Sequence, residues 1–215
     1  IDVEPSYAEA HNNLGNTLKE IGQLDKAVKS YKTALKFEPD FVDAYNNLGN
    51  VLKDLNKFDD ALTSFHQALK LTPNSAEVHN NIGIVLSKLN RLDESVSSYK
   101  TALDKKPSYA EAYNNLGHVL KRQNMLDEAL KSYQEAIAIM PEYVEAHRNL
   151  GVALQEMNML DESIQSHNTA LTLDTENVAT KFYLSLSLLG SGDYMRGLPL
   201  FDYRLVYDVE SIGTR

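Results

Sequence analysis

A block of the form aromatic-Asn-Asn-Leu-Gly returns every 34 residues and leaves this chain few ways to fold. It reads His11-Asn12-Asn13-Leu14-Gly15, Tyr45-Asn46-Asn47-Leu48-Gly49, His79-Asn80-Asn81-Ile82-Gly83 and Tyr113-Asn114-Asn115-Leu116-Gly117. A looser copy follows as His147-Arg148-Asn149-Leu150-Gly151. Self-similarity at a fixed period of a few tens of residues marks a repeat array, whose units cannot bury their apolar faces alone. The 215 residues are therefore read as stacked units rather than as domains with separate cores.

Counting copies from Ala8, Val42, Ala76, Ala110, Val144 and Val178, positions 4, 7, 8 and 11 are apolar, aromatic or small. His11, Leu14, Gly15 and Leu18 are the first set. That i, i+3, i+4, i+7 spacing is one buried stripe of an α-helix. Position 15 is Gly22, Asn56, Asn90, Asn124, Asn158 or Gly192, the residue types that tolerate a left-handed helix C-cap. A second helix is predicted after each, with Asp25, Asp59, Asp93, Asp127 and Asp161 in a first turn where a carboxylate suits the helix dipole. Its buried stripe runs through Ala27, Tyr31, Ala34 and Leu35, then Ala61, Phe65, Ala68 and Leu69, and likewise onward. Pro39, Pro73, Pro107 and Pro141 close the repeats, where proline ends a helix.

The aromatic residue, Leu-Gly, later Ala, aromatic, Ala and Pro in this order resemble the tetratricopeptide repeat family, from Ala8 to about residue 175. The resemblance implies an all-α fold, a right-handed superhelical solenoid of antiparallel helix pairs. Residues 1–7 then read as the tail of a preceding repeat, with Pro5 one period before Pro39. Five repeats follow (8–41, 42–75, 76–109, 110–143, 144–177), then a degenerate sixth (178–205). Residues 206–215 form a tail or a linker to a further domain. Small residues such as Gly49 and Ala61 are expected to bring the paired helices close, with Tyr45 and Phe65 filling the space beside them.

In the family's superhelix, positions 2, 5, 6, 9, 12 and 13 line a concave groove. Position 6 holds Asn13, Asn47, Asn81, Asn115 and Asn149, an expected ladder of carboxamides that both donate to and accept from a peptide bond. It is similar to the asparagine ladder in the repeat arm of O-linked N-acetylglucosamine transferases. Position 5 adds Asn12, Asn46, Asn80 and Asn114, a departure from that arm, and position 9 adds Asn16, Asn50 and His118. The alternative is that these side chains simply face water. Glu9, Asp43, Glu77, Glu111 and Glu145 at position 2 are either an acidic rail for a ligand or capping-box glutamates, as Ser6-Tyr7-Ala8-Glu9 and Ser108-Tyr109-Ala110-Glu111 suggest.

The sixth copy breaks the polar pattern. Phe182, Tyr183, Leu186 and Leu189 occupy groove positions that are mostly Asn, Lys or Ser earlier. An apolar face of this kind is expected to be covered, by the 206–215 segment, a following domain or a partner chain. The stretch Gly192–Arg204 resembles the closing half-repeat of bacterial repeat proteins that carry a glycosyltransferase-like domain; an atypical capping repeat is the other reading.

Several classes are disfavoured. The net charge of −9 opposes a nucleic-acid partner, which needs a basic stripe. No apolar run suits a membrane helix, and no signal peptide is visible. The absence of cysteine removes thiolate sites and fits the cytoplasm. His11, His79 and His147 lie two repeats apart, too far for one metal ion, and no nucleophile sits beside a base. No cofactor is expected. The chaperone-type clamp of related repeat proteins needs Lys or Arg at positions 2, 5 and 6, yet position 2 is acidic and Arg148 is the single basic residue at position 5. The expected function is binding of a protein or extended peptide, without catalysis, as the docking arm of a larger protein such as a glycosyltransferase. The alternative is a stand-alone scaffold or self-association module, since terminal repeats of an array expose unsatisfied faces.

Overall fold

The computed structural model describes residues 5–206. All regular structure in them is helical: α1 (Pro5–Glu20), α2 (Leu24–Phe37), α3 (Val42–Asp54), α4 (Phe58–Leu71), α5 (Ala76–Lys88), α6 (Leu92–Lys105), α7 (Ala110–Arg122), α8 (Leu126–Ile139), α9 (Val144–Glu156), α10 (Leu160–Leu173), α11 (Val178–Gly190) and α12 (Tyr194–Phe201). The chain divides into two compact units, Ile1–Pro107 and Ser108–Arg215. In the first, α1 packs on α2, α3 on α4 and α5 on α6, and the pairs stack through α2–α3 and α4–α5. The second repeats the scheme with α7–α8, α9–α10 and α11–α12, joined through α8–α9 and α10–α11. This is the all-α, paired-helix architecture predicted from the period.

The turn inside each pair follows from its position-15 residue. Asn56, Asn90, Asn124 and Asn158 have φ of 58°, 59°, 62° and 61°, and Gly22 and Gly192 have 76° and 86°. The left-handed residue closes a Schellman motif: the Asn56 amide donates to the Lys53 carbonyl at 2.9 Å, and the Lys57 amide to that of Leu52 at 2.8 Å. The last carbonyls of α3 are thereby satisfied.

The helices of a pair approach through glycine. A Cβ on Gly49 would stand 2.5 Å from Cε1 of Phe65, and one on Gly15 the same distance from Cε1 of Tyr31. Gly83, Gly117 and Gly151 face Tyr99, Tyr133 and His167 in the same way. Each ring at position 24 packs against bare backbone and is essentially buried. Ser95 and Ser163 replace the alanine of position 20 without leaving an orphan hydroxyl, because they donate to the Gly83 and Gly151 carbonyls at 2.7 Å.

Two expectations about the packing stripe are corrected. Leu14 is 48% exposed, whereas its equivalents Leu48, Ile82, Leu116 and Leu150 are buried. In the first unit α3 stacks on α2 and α5 on α4, and in the second α9 stacks on α8. Leu48, Ile82 and Leu150 thus each belong to a helix with a preceding neighbour, whereas among the described residues no helix precedes α1. The histidines of position 4 are half-buried rather than buried. Nε2 of His79 and of His147 donates to the carbonyl of Pro73 and of Pro141, at 3.2 and 2.9 Å. They tie the end of one repeat to the start of the next.

Candidate peptide-binding groove

The paired asparagines connect consecutive repeats. Nδ2 of Asn47 donates to Oδ1 of Asn12 at 3.1 Å, Asn81 to Asn46 at 3.1 Å, and Asn149 to Asn114 at 2.9 Å. Asn12, Asn80 and Asn114 are buried, at 6%, 1% and 6% exposure, and Asn46 is half-buried. The position-5 residues are therefore not an open surface of the groove. Asn12, Asn46 and Asn114 are acceptors that hold the position-6 side chains of the next repeat in place, because a carboxamide withdrawn from water needs a partner. Asn47, Asn81, Asn115 and Asn149 remain half-buried, and Asn13 is exposed. In Asn47, Asn81 and Asn149 one N–H is committed to this bond, which orients the amide and leaves its carbonyl oxygen free of that contact. Position 9 is likewise drawn into packing: Asn16 accepts from the Tyr31 hydroxyl at 2.7 Å, and Asn50 from Lys53 Nζ at 3.3 Å.

Truncating one member of a stitch should expose this role. Asn47→Ala leaves Oδ1 of Asn12 buried without its donor, at an expected cost of about 1–3 kcal/mol. Adding Asn12→Leu should recover part of that loss in urea melts; additive losses would show that the bond does not couple the two sites.

In the second unit the groove face opens into a cleft of about 480 Å³. Asn114, Asn115, His118 and Lys121 come from α7, Glu145, Arg148, Asn149 and Val152 from α9, and Ala179 and Tyr183 from α11. Lys121 is paired with Glu156 at 2.8 Å. Arg148, half-buried, makes no ion pair or hydrogen bond among the described residues. A second hollow of about 440 Å³ is lined by Glu111, Asn114, Asn115, Met140, Tyr143 and Glu145. There the Tyr143 hydroxyl accepts from Asn114 Nδ2 at 3.5 Å, and burial together with Glu145 and Glu111 pushes it up to about 12. The buried side-chain polar atoms without a partner among the described residues are the Tyr133 hydroxyl and both ring nitrogens of His167. Both residues belong to this unit. Burial and the neighbouring Arg148 guanidinium hold the His167 imidazole down at about 4, hence neutral at ordinary pH.

The acidic residues Glu9, Asp43, Glu77, Glu111 and Glu145 are all exposed. The capping box expected at Ser108–Glu111 does not form: the N-cap of α7 is Tyr109, with no side-chain cap bond. Asp43, Glu77, Glu111 and Glu145 instead sit in the first turns of α3, α5, α7 and α9, where the helix dipole favours them. Glu9 lies beyond the first turn of α1, and the Ser6 side of the other predicted box falls outside the described side chains.

The apolar face of α11 is partly covered by α12. Phe182 lies 5.6 Å from the ring of Tyr183 and 6.2 Å from that of Phe201, and Tyr183 stacks on His167 at 6.2 Å. Leu189 packs on Gly197, where an added Cβ would meet it at 2.9 Å. Phe182, Tyr183, Leu186 and Leu189 all end half-buried. Ser185 stands where earlier repeats have glycine, and Phe201, in the aromatic slot, lies with its ring tilted at 48° to that of Phe182. The expected cover from 206–215 concerns residues of which all but Val206 lie outside the described part. On α12, Tyr194, Met195 and Leu198 stay exposed.

The helix-pair geometry and the glycine–aromatic contact define a tetratricopeptide-type repeat protein, and comparison with known proteins agrees. A scan of family models matches the TPR repeat at residues 15–56, 49–90, 85–124 and 117–158, more than half of the chain. The chain belongs to the TPR repeat family. No curated protein matches it. Among solved structures, MamA is 25% identical with a TM-score of 0.67, over 79% of this chain and 93% of that one. YrrB, described as a TPR protein with an unusual peptide-binding site, is 23% identical with a TM-score of 0.62, over 79% and 88%. PilW, described as a widely conserved type IV pilus biogenesis factor, is 22% identical with a TM-score of 0.83, over 90% of each chain. At those identities YrrB and PilW share the fold alone. No helix among the described residues is long and apolar enough to cross a membrane.

Proposed function

We propose that the chain is a protein-interaction module that holds an extended peptide in its groove, and that it serves as the docking arm of a larger protein. The carrying observation is the set of oriented carboxamides: Asn47, Asn81 and Asn149 are each anchored by one N–H. A peptide backbone presents donors and acceptors at regular intervals, and fixed amides along its path bind it with little ordering cost. The cleft beside Val152 and Tyr183 adds room for side chains. YrrB's described peptide-binding site lends the reading support by analogy of fold. Attachment to a glycosyltransferase rests on two resemblances, that of the asparagine ladder and that of Gly192–Arg204. A second reading, self-association, is favoured by exposed Tyr194, Met195 and Leu198 on α12.

Random twelve-residue peptides displayed on phage and selected on the chain test the groove. Selected peptides should lose binding to Val152→Trp, which fills the cleft and breaks no stitch. They should retain it with Asn168→Trp on the exposed side of α10. Selected peptides indifferent to Val152→Trp would move the binding surface elsewhere.

A further inference from the structure

We infer that Arg148 is an anion-reading position of the groove, selecting peptides that place a carboxylate or phosphate group in the cleft between α7, α9 and α11; this rests on the groove reading above. Three observations converge on it.

The first is the break in the stitch pattern. At position 5, Asn12, Asn46 and Asn114 accept from the asparagine of the following repeat. Arg148 holds the same position in the fifth repeat, and a guanidinium has no acceptor. The residue one period after Asn149 is Tyr183, so α9 and α11 do not share the carboxamide link. Arg148 is released from the structural task its counterparts perform, and the cleft opens at that point.

The second is charge. Lys121, the other cation in the cleft, is already paired with Glu156, while Arg148 has no partner among the described residues. A half-buried guanidinium gives up part of its hydration and regains it through a charge-assisted, often bidentate bond to a carboxylate or phosphate. The third is the layout of the acids. Glu111 borders the neighbouring hollow and Glu145 borders both, so a bound anion is repelled from that end and drawn towards Arg148. One cation flanked by acids sets the register of a single acidic group; it does not clamp two.

The test uses the same peptide selection on the full chain and on Arg148→Gln. Peptides from the wild type should carry Asp or Glu at one register, and their affinity should fall tenfold or more with Arg148→Gln, with partial recovery in Arg148→Lys. Binding should also weaken as NaCl rises in the wild type and lose most of that dependence in Arg148→Gln. Synthetic versions of the leading peptide, with the acid replaced by phosphoserine or by Gln, separate the sources of the anion. The charged forms should bind and the Gln form should fail. Thermal melts of each variant confirm that the fold is retained. Peptides sensitive to Val152→Trp but without acidic enrichment, or equally bound by Arg148→Gln, overturn the anion reading and leave the groove standing. Failure to select any peptide overturns both.

Discussion

His167→Phe should raise the stability of the chain at neutral pH and flatten its response to acid. His167 occupies the slot filled by Tyr31, Phe65, Tyr99 and Tyr133 in the earlier repeats. It is completely buried, and neither ring nitrogen has a partner. Removing two unsatisfied buried polar atoms while keeping a ring of suitable size is worth about 1–3 kcal/mol. The acid response follows from linkage. Burial, then Arg148, holds the folded-state imidazole at about 4, against an ordinary 6.5. Between those values the unfolded chain binds the proton and the folded chain does not, so stability falls as pH drops through that window. The full term is about 3 kcal/mol, present above pH 6.5 and lost by pH 4. Urea melts at pH 7.5 and 4.5 should show most of this loss in the wild type beyond any loss seen in His167→Phe. Equal losses in the two proteins would mean that the imidazole titrates normally, and that the fifth pair is looser than its geometry indicates.

Gly49→Ala should be among the most damaging single-methyl changes in the chain. The added Cβ would meet Cε1, Cδ1 and Cζ of Phe65 at 2.5, 2.7 and 2.8 Å. The ring is completely buried within a close-packed core, so the added methyl is expected to push α3 and α4 apart. Overpacking of this kind costs about 1–3 kcal/mol, and the larger Gly49→Leu more than Ala. Phe65→Leu in the same chain should return part of the loss, giving a favourable coupling in a double-mutant cycle of melting temperatures. Unchanged melting of Gly49→Ala would show that the pair tolerates a wider spacing. Fully additive effects would place the damage elsewhere than the glycine–ring contact.

The helix pairs and their turns were legible in the chain because they depend on local periodicity. A 3.6-residue apolar stripe, Asn56 or Gly22 at a left-handed turn and proline after each second helix are read without knowing what lies across the interface. The groove was legible only in outline. The two asparagines of each block look alike in sequence, yet Asn12 is buried as an acceptor and Asn47 is oriented by it, a difference created by the offset between neighbouring repeats. His167 escaped notice because a histidine at position 24 looks like a polar surface residue until its glycine partner Gly151 is placed beneath it.

The same division holds for the chain's ends and charges. Apolar Phe182, Tyr183, Leu186 and Leu189 announced a change in surface character; that α12 supplies part of their cover, with Phe201 near Phe182, came only from the packing of one helix on another. Arg148 was visible as the lone base at its position. That it makes no ion pair or hydrogen bond among the described residues emerged only from the structure, where Lys121 pairs with Glu156 instead, because ion pairing depends on distances of a few ångströms between helices. Periodicity in the primary structure was enough to build the scaffold; which side chains the stack consumes and which it leaves available depended on how the repeats meet.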